Sequence, residues 1–267
     1  VMNMKITVLC NDKALEGFEA EHGLSLYIET DRHHILFDTG STDVALKNAK
    51  KLGLDLRQID FVVISHGHYD HIGGLERVLK ITGKTKVFTG PGCLLPRYSG
   101  PRRAGPPEAK KHYESLGANF EEISQFSSPE ENIFFLPAVP FRTSERPPVK
   151  FKRMGGEERI RDLFEDELGL IVVEKGEATL FTGCSHRGIG NILLEAVGHK
   201  KIKTVVGGLH LLYKSRSEIE EVCQLIKELY VENFYIGHCT GDLAIKTFTE
   251  KLPVIVEELK AGKTIKL

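Results

Sequence analysis

The segment His66-Gly67-His68-Tyr69-Asp70-His71 sets four metal-ligand side chains within six residues, directly after the apolar run Phe61-Val62-Val63-Ile64. A buried strand ending in imidazoles and a carboxylate delivers them together at a sheet edge, where a divalent cation satisfies their lone pairs. Neutral imidazole with carboxylate suits zinc, iron or manganese, whereas calcium and magnesium prefer oxygen alone. His66 and His68 project to one side of an extended turn, and Asp70 and His71 follow as the chain bends. The group therefore has the spacing to serve two adjacent ions. Gly67, Gly73 and Gly74 supply the tight loop that such a site needs.

One loop does not enclose two ions, so further ligands must arrive from other strand ends. Three places repeat a pattern of apolar strand, glycine and ligand-type residue. Thr179-Leu180-Phe181-Thr182-Gly183 leads into Cys184-Ser185-His186, Thr204-Val205-Val206-Gly207-Gly208 into Leu209-His210, and Phe234-Tyr235-Ile236-Gly237 into His238-Cys239. A buried His or Cys at any one of them has packing or capping as its alternative role; three recurrences weaken that alternative. Asp38, at the end of Ile35-Leu36-Phe37, is read as a carboxylate that orients a ligand histidine from behind.

The elements that position these residues are short β-branched and aromatic runs at 5–9, 24–29, 34–37, 61–64, 86–88, 132–136, 169–173, 178–182, 203–206, 233–236 and 264–267. Helical patterns lie at 42–52, 75–81, 189–197 and 243–259. Another starts at Ser217, where Glu220 completes a capping box and Val222, Leu225, Ile226 and Leu229 form an apolar stripe. Hairpins early and late, with helices interspersed, predict an α/β fold of two packed sheets covered outside by helices.

With 267 residues and 41% hydrophobic content the chain can bury a full core. A formal charge of −1 gives no global field for nucleic acid or an anionic membrane. Five scattered cysteines, with no CxxC pair, suggest a reducing cytoplasm and no disulfide framework. Val1-Met2-Asn3-Met4-Lys5 leads directly into a strand-like run, and no segment has membrane-spanning length, so a soluble protein with a small-molecule substrate is expected. Oligomeric state is left open.

Residues 91–112 alternate prolines and glycines with Arg97, Arg102, Arg103, Lys110 and Lys111. This segment is expected to be irregular, either a solvated loop or a lid whose arginines Arg97, Arg102 and Arg103 grip phosphate or carboxylate. The basic, Pro-containing stretch 142–153 offers the same two readings.

These residues resemble the metallo-β-lactamase superfamily, whose HxHxDH hallmark matches His66, His68, Asp70 and His71, with an LFDTG-type strand at 36–40. The resemblance implies a single domain with an αββα sandwich, one or two metals at the sheet edge, zinc first with iron or manganese as alternatives, and a metal-bound hydroxide as nucleophile. Cys184 stands where the superfamily usually has an acidic residue, and is read as a ligand; His238 matches the closing GH motif and is assigned to the second metal. The upstream histidine that the pattern implies has no counterpart, so either His186 or Asp166 completes the ligands of the first metal, with His186 preferred because imidazole replaces imidazole, or the site is mononuclear. Asp70 is read as both ligand and orienting group, and His210 as a proton donor or anion holder.

Glu21-His22-Gly23-Leu24-Ser25, Gly183-Cys184-Ser185-His186, Gly207-Gly208-Leu209-His210 and His238-Cys239-Thr240-Gly241 further resemble a subgroup named for a dihydropterin-type synthase. Three functions are carried forward. The first is hydrolysis of a small anionic or phosphorylated metabolite. The second is transfer of a dihydropterin from its diphosphate to an arylamine phosphate with formation of a C–N bond. The third is a non-catalytic, metal-stabilised ligand or redox sensor.

Overall fold

The computed structural model describes residues 4–267, so residues 1–3 of the predicted entry into the first strand lie outside the described residues. Two seven-stranded sheets form the frame. The first runs, in spatial order, β18 (Thr264–Lys266), β1 (Lys5–Cys10), β2 (Ser25–Glu29), β3 (His34–Phe37), β4 (Phe61–Val63), β5 (Thr85–Thr89) and β8 (Ala118–Glu122). The second runs β9 (Ser127–Glu130), β10 (Ile133–Leu136), β13 (Gly169–Glu174), β14 (Glu177–Thr182), β15 (Ile202–Gly208), β16 (Asn233–Gly237) and β17 (Ile255–Glu258). Each sheet is antiparallel through its first four strands and parallel through the remaining three. The two halves of the chain thus repeat one pairing scheme.

Strand side chains alternate between faces, and these sheets are buried on both. In β3, Ile35 and Phe37 enter the layer between the sheets, where they meet Phe135, Leu170, Phe181 and Val206 of the second sheet. Leu36 points outward, as does Val62 of β4, and packs with Ala45 and Ala49 of α1 (Val44–Lys51) and with Leu75, Val78 and Leu79 of α3 (Leu75–Thr82). On the far side Leu180 and Val205 meet α5 (Ile189–His199), α6 (Arg216–Leu229) and α7 (Asp242–Lys251). The helix, sheet, sheet, helix order matches the αββα expectation. The two remaining helices are a one-turn α2 (Tyr69–Ile72) and α4 (Lys110–Ser115).

Several local readings are corrected. The capping box belongs to Ser215 and Glu218, two residues earlier than expected, because the Ser215 side chain accepts from the Glu218 amide while the Glu218 carboxylate receives the Ser215 N–H. The helix expected over 243–259 ends at Lys251; Pro253 cannot continue it, and the chain becomes edge strand β17. The irregular segment 91–112 holds β6 (Arg97–Ser99) and β7 (Arg102–Arg103). These join β11 (Phe151–Gly155) and β12 (Glu158–Arg161) in a four-stranded sheet, β12-β11-β6-β7. The two basic stretches therefore pair with one another. No helix among the described residues is long and apolar enough to cross a membrane, and all five cysteines are free thiols.

Candidate metal centre

Strand direction explains why the chemistry collects in one place. β3 and β4 are parallel, as are β14, β15 and β16, so their C-terminal ends discharge Asp38, His66, Cys184, His210 and His238 at common sheet edges. β1 lies antiparallel to β2, and β2 to β3, so β1 points the same way as β3 and its exit loop brings Asp12 to the same edge. The loop entering β2 brings His22. Four of these exits place a non-glycine residue at positive φ, namely Asp38, Ser185, His210 and His238. Backbone in that region is held only where its surroundings dictate it. The close approach of the two sheets also requires Gly183, where a Cβ would lie 2.0 Å from Ser65 Oγ, and the packing of neighbouring loops after β4 and β5 requires Gly67, where it would lie 1.9 Å from the Cys93 carbonyl oxygen.

Three imidazoles form the first cluster. The ring centres of His66, His68 and His186 lie 4.8 to 4.9 Å from one another. The Nε2 atoms of His66 and His68 and both ring nitrogens of His186 are buried without a hydrogen-bond partner. An unpartnered buried nitrogen is costly; ligand atoms of His66 and His186 lie within 4.8 Å of each other and of Cys184, with the His68 ring beside them, an arrangement a cation would satisfy. Burial holds His66 and His186 well below the usual imidazole range and pushes His68 down to about 3, so all three rings are neutral near pH 7, the state that binds metal. His186 stacks on Phe164 at 3.8 Å. Its amide and that of Arg187 both donate to the Glu167 carboxylate, which fixes the loop after β14.

The second cluster is Asp70, His71, Cys184 and His238, whose ligand atoms all fall within 4.8 Å of one another. Cys184 also belongs with His66 and His186, so its sulfur stands between the clusters. His71 Nε2 lies 3.1 Å from both Cys184 Sγ and His238 Nε2. Each of these two histidines is anchored from behind. His71 Nδ1–H donates to Asp38 Oδ2 at 2.6 Å, and His238 Nδ1–H donates to Asp12 Oδ1 at 2.6 Å. A carboxylate on Nδ1 leaves the Nε2 lone pair for a cation. For His71, burial opposes charge but the facing Asp70 and Asp38 carboxylates outweigh it and raise the ring to about 9, so near pH 7 a cation at Nε2 would displace a proton. Asp38 further accepts from the Ser65 amide and hydroxyl, and Ser65 Oγ contacts His66 Nδ1 at 3.0 Å. One buried carboxylate thereby organises both clusters. The donor set, five histidines with a thiol and a carboxylate, fits zinc, iron or manganese.

One expected placement differs in the structure. Arg97 does not face the cavity; its guanidinium is buried, bonded at 2.9 Å to Asp162 and at 2.7 Å to Asp166, with a further bond to the Cys93 carbonyl. Asp166 in turn accepts the Gly67 amide at 2.7 Å, which holds the loop between His66 and His68. Asp166 is thus spent on Arg97 and Gly67, and the geometry brings His186, not Asp166, beside His66 and His68. Arg102 and Arg103 are exposed and line a cavity of about 540 Å³ that also reaches His68, Asp70, Cys184, His186, His210 and His238. His210 borders His186 at 4.3 Å and is pushed by burial down to about 4. It is therefore a neutral imidazole near pH 7, able to donate or accept a hydrogen bond.

Sequence reasoning gave no role to Asp12, His22 or Glu167, and marked Lys150 only as part of the basic stretch 142–153. Asp12 follows Val8-Leu9-Cys10 as Asp38 follows Ile35-Leu36-Phe37, so the same pattern of apolar strand followed by carboxylate marks it. Lys150, with Phe151, lies where the small sheet meets the cavity, and its ammonium sits 5.0 Å from the ring centre of Tyr213.

The fold and this donor set together define an αββα sandwich with a histidine-rich candidate metal site at its sheet edges. The sequence pattern of the Metallo-beta-lactamase superfamily matches residues 19–199, and the chain belongs to that superfamily. It is 32% identical to an uncharacterized protein of Methanocaldococcus jannaschii, over 92% of this chain and 94% of that one. It is 30% identical to the 7,8-dihydropterin-6-methyl-4-(β-D-ribofuranosyl)-aminobenzene-5'-phosphate synthase of the same organism, over 100% of this chain and 97% of that one. The crystal structure of a metal-dependent hydrolase of the β-lactamase superfamily superposes with a TM-score of 0.89 and 38% identity, covering 99% of each chain. Zinc-bound PqqB from Methylobacterium extorquens shares the fold, with a TM-score of 0.59 at 12% identity over 98% of this chain and 100% of that one.

Proposed function

We propose that the protein is a metal-dependent hydrolase of a small phosphorylated metabolite. The observation that carries this reading is the union of two features in one cavity: the converging ligand side chains on its floor, and the cations Arg102, Arg103 and Lys150 in its wall. His66, His68 and His186 would hold a first divalent ion and Asp70, His71 and His238 a second, with Cys184 between them. Such ions supply Lewis acidity and lower the pKa of a bound water from about 15.7 toward about 7.

The chain's own residues do the rest. Arg102, Arg103 and Lys150 neutralise phosphate oxygens and fix the substrate's orientation, the two arginines with planar, bidentate donors. His210 hydrogen-bonds a substrate oxygen through its neutral imidazole. Asp70 orients the reacting water from the floor, and Phe151 and Leu212 narrow the approach of bulk solvent. We read residues 4–267 as one domain in which the small sheet containing the 91–112 segment covers the site, and the five free thiols support a reducing, cytoplasmic setting.

A second reading has specific support in the 30% identity along the whole of the synthase. There the same cations hold a departing diphosphate while an arylamine nitrogen replaces water as the nucleophile, the C–O bond to diphosphate breaks and a C–N bond forms. The two readings separate in one assay. Metal-loaded protein is incubated with a dihydropterin diphosphate, with and without the arylamine phosphate, and products are identified by mass spectrometry. Release of phosphate or diphosphate without the amine supports hydrolysis; a C–N-linked product formed only with it supports transfer. Absence of turnover on these and on phosphoesters generally would favour the sensor reading.

A further inference from the structure

Asp70 Oδ2 is ringed by three imidazole nitrogens rather than two. His238 Nε2 lies 3.1 Å away, His71 Nε2 3.4 Å and His22 Nε2 3.3 Å. The first two belong to the second cluster described above, whereas His22 comes from the loop before β2 and no motif reading gave it a ligand's role.

Its surroundings repeat those of the other two. His71 carries Asp38 on Nδ1, and His238 carries Asp12 Oδ1; His22 Nδ1–H donates to Asp12 Oδ2 at 2.8 Å. One carboxylate thus anchors two imidazoles, whose ring centres lie 4.9 Å apart at an interplanar angle of 35°. With Nδ1 toward Asp12, Nε2 of His22 is directed at Asp70 Oδ2, as Nε2 of His238 is. Without a cation a proton on each ring satisfies that contact; a divalent ion at Asp70 Oδ2 would displace those protons and take both nitrogens. His22 also differs from its neighbours in one respect: its side chain is 56% exposed and stands in the cavity wall.

We infer that His22 is a further ligand of the second ion, supplied from the cavity side and anchored by the carboxylate that also orients His238. This inference rests on the metal-site reading under Proposed function.

The test compares wild type with His22→Gln and Asp12→Asn, each loaded with cobalt(II) and, separately, with zinc, with thermal denaturation confirming folding. Two readouts are taken: ions retained per chain against a graded chelator, and the visible absorption of the cobalt protein. In His22→Gln we expect one ion to keep wild-type affinity, the other to bind about tenfold or more weakly, and the cobalt spectrum to change. Asp12→Asn should weaken that same ion further, because it loosens two imidazoles. Two ions held at wild-type affinity with an unchanged cobalt spectrum in His22→Gln would overturn the inference while leaving the metal site intact. A wild-type protein that binds a single ion would overturn it too, and one that binds none would overturn the metal-site reading itself.

Discussion

Asp38 Oδ2 lies 2.6 Å from His71 Nδ1, and both side chains are wholly buried. The same carboxylate takes the amide and hydroxyl of Ser65 at 2.7 Å each, so its acceptor capacity is committed to the loop that carries His66 and to the ring of His71. Asp38 is itself held at a positive φ of 59°, which turns its side chain back under the site.

Asp38→Asn preserves the size of the side chain but removes the charge that fixes the His71 tautomer. Metal affinity should fall by about 10- to 100-fold, as is usual when an outer partner of a ligand histidine is lost. Chelator competition on the folded variant measures this directly. Wild-type affinity would show that Asp38 serves the backbone alone.

Arg97 and Arg102, five residues apart on neighbouring strands, should respond in opposite ways. Arg97→Ala leaves Asp162 and Asp166 buried without their cation and frees the Gly67 loop, so unfolding free energy in denaturant should drop by about 3–5 kcal/mol. Arg102→Ala, in the exposed cavity wall, should change stability by less than about 0.5 kcal/mol and raise KM for an anionic substrate, the more so at low ionic strength. A KM effect at unchanged stability for Arg97→Ala would return that residue to the substrate site.

The N-terminus of α6 carries a pH dependence of known sign. Bonds from the Ser215 amide, the Lys214 ammonium and the Ser215 hydroxyl lower the Glu218 carboxyl to about 2 from an ordinary 4.5. A depressed carboxyl stabilises the folded state fully above its unfolded pKa, and that contribution fades as pH falls through 4.5 toward 2. Glu218→Gln should therefore melt below wild type at pH 7 and approach it near pH 2.5. Ser215→Ala should cost about 1 kcal/mol at neutral pH. Equal melting temperatures for wild type and Glu218→Gln at pH 7 would contradict the cap.

The sandwich and most of the metal centre were legible because each rests on a local pattern. Apolar runs such as Phe61–Val63 and the Leu170, Ile171 and Val172 segment of β13 are buried on both faces and read as strands without further information. Glycine followed by Cys184 or His238 at a strand end needed only the direction of the strand to become a site. The elements missed were those whose pairing is remote or whose composition is polar. β12 is Glu158-Arg159-Ile160-Arg161, exposed throughout, and is a strand only because β11 lies beside it. β9 contains Pro129, tolerated on an edge. Arg97 was misassigned for a similar reason. A run of arginines looks uniform in sequence, and only the fold reveals that one is spent on Asp162 and Asp166 while its neighbours face the cavity. His22 and Asp12 sit in a loop with no periodicity, and their roles follow from β1 and β2 being antiparallel, which brings both to the edge where β3 ends.

Metal content per chain is the most direct test of the central claim. Protein prepared without added metal, then reconstituted with zinc, iron or manganese and freed of excess, is analysed by elemental mass spectrometry alongside Cys184→Ala and His186→Ala. The arrangement of His66, His68, His186, Asp70, His71, Cys184 and His238 predicts two ions in wild type, one in His186→Ala, and weakened retention of both in Cys184→Ala. A wild-type chain that retains no ion under any of these conditions would contradict it.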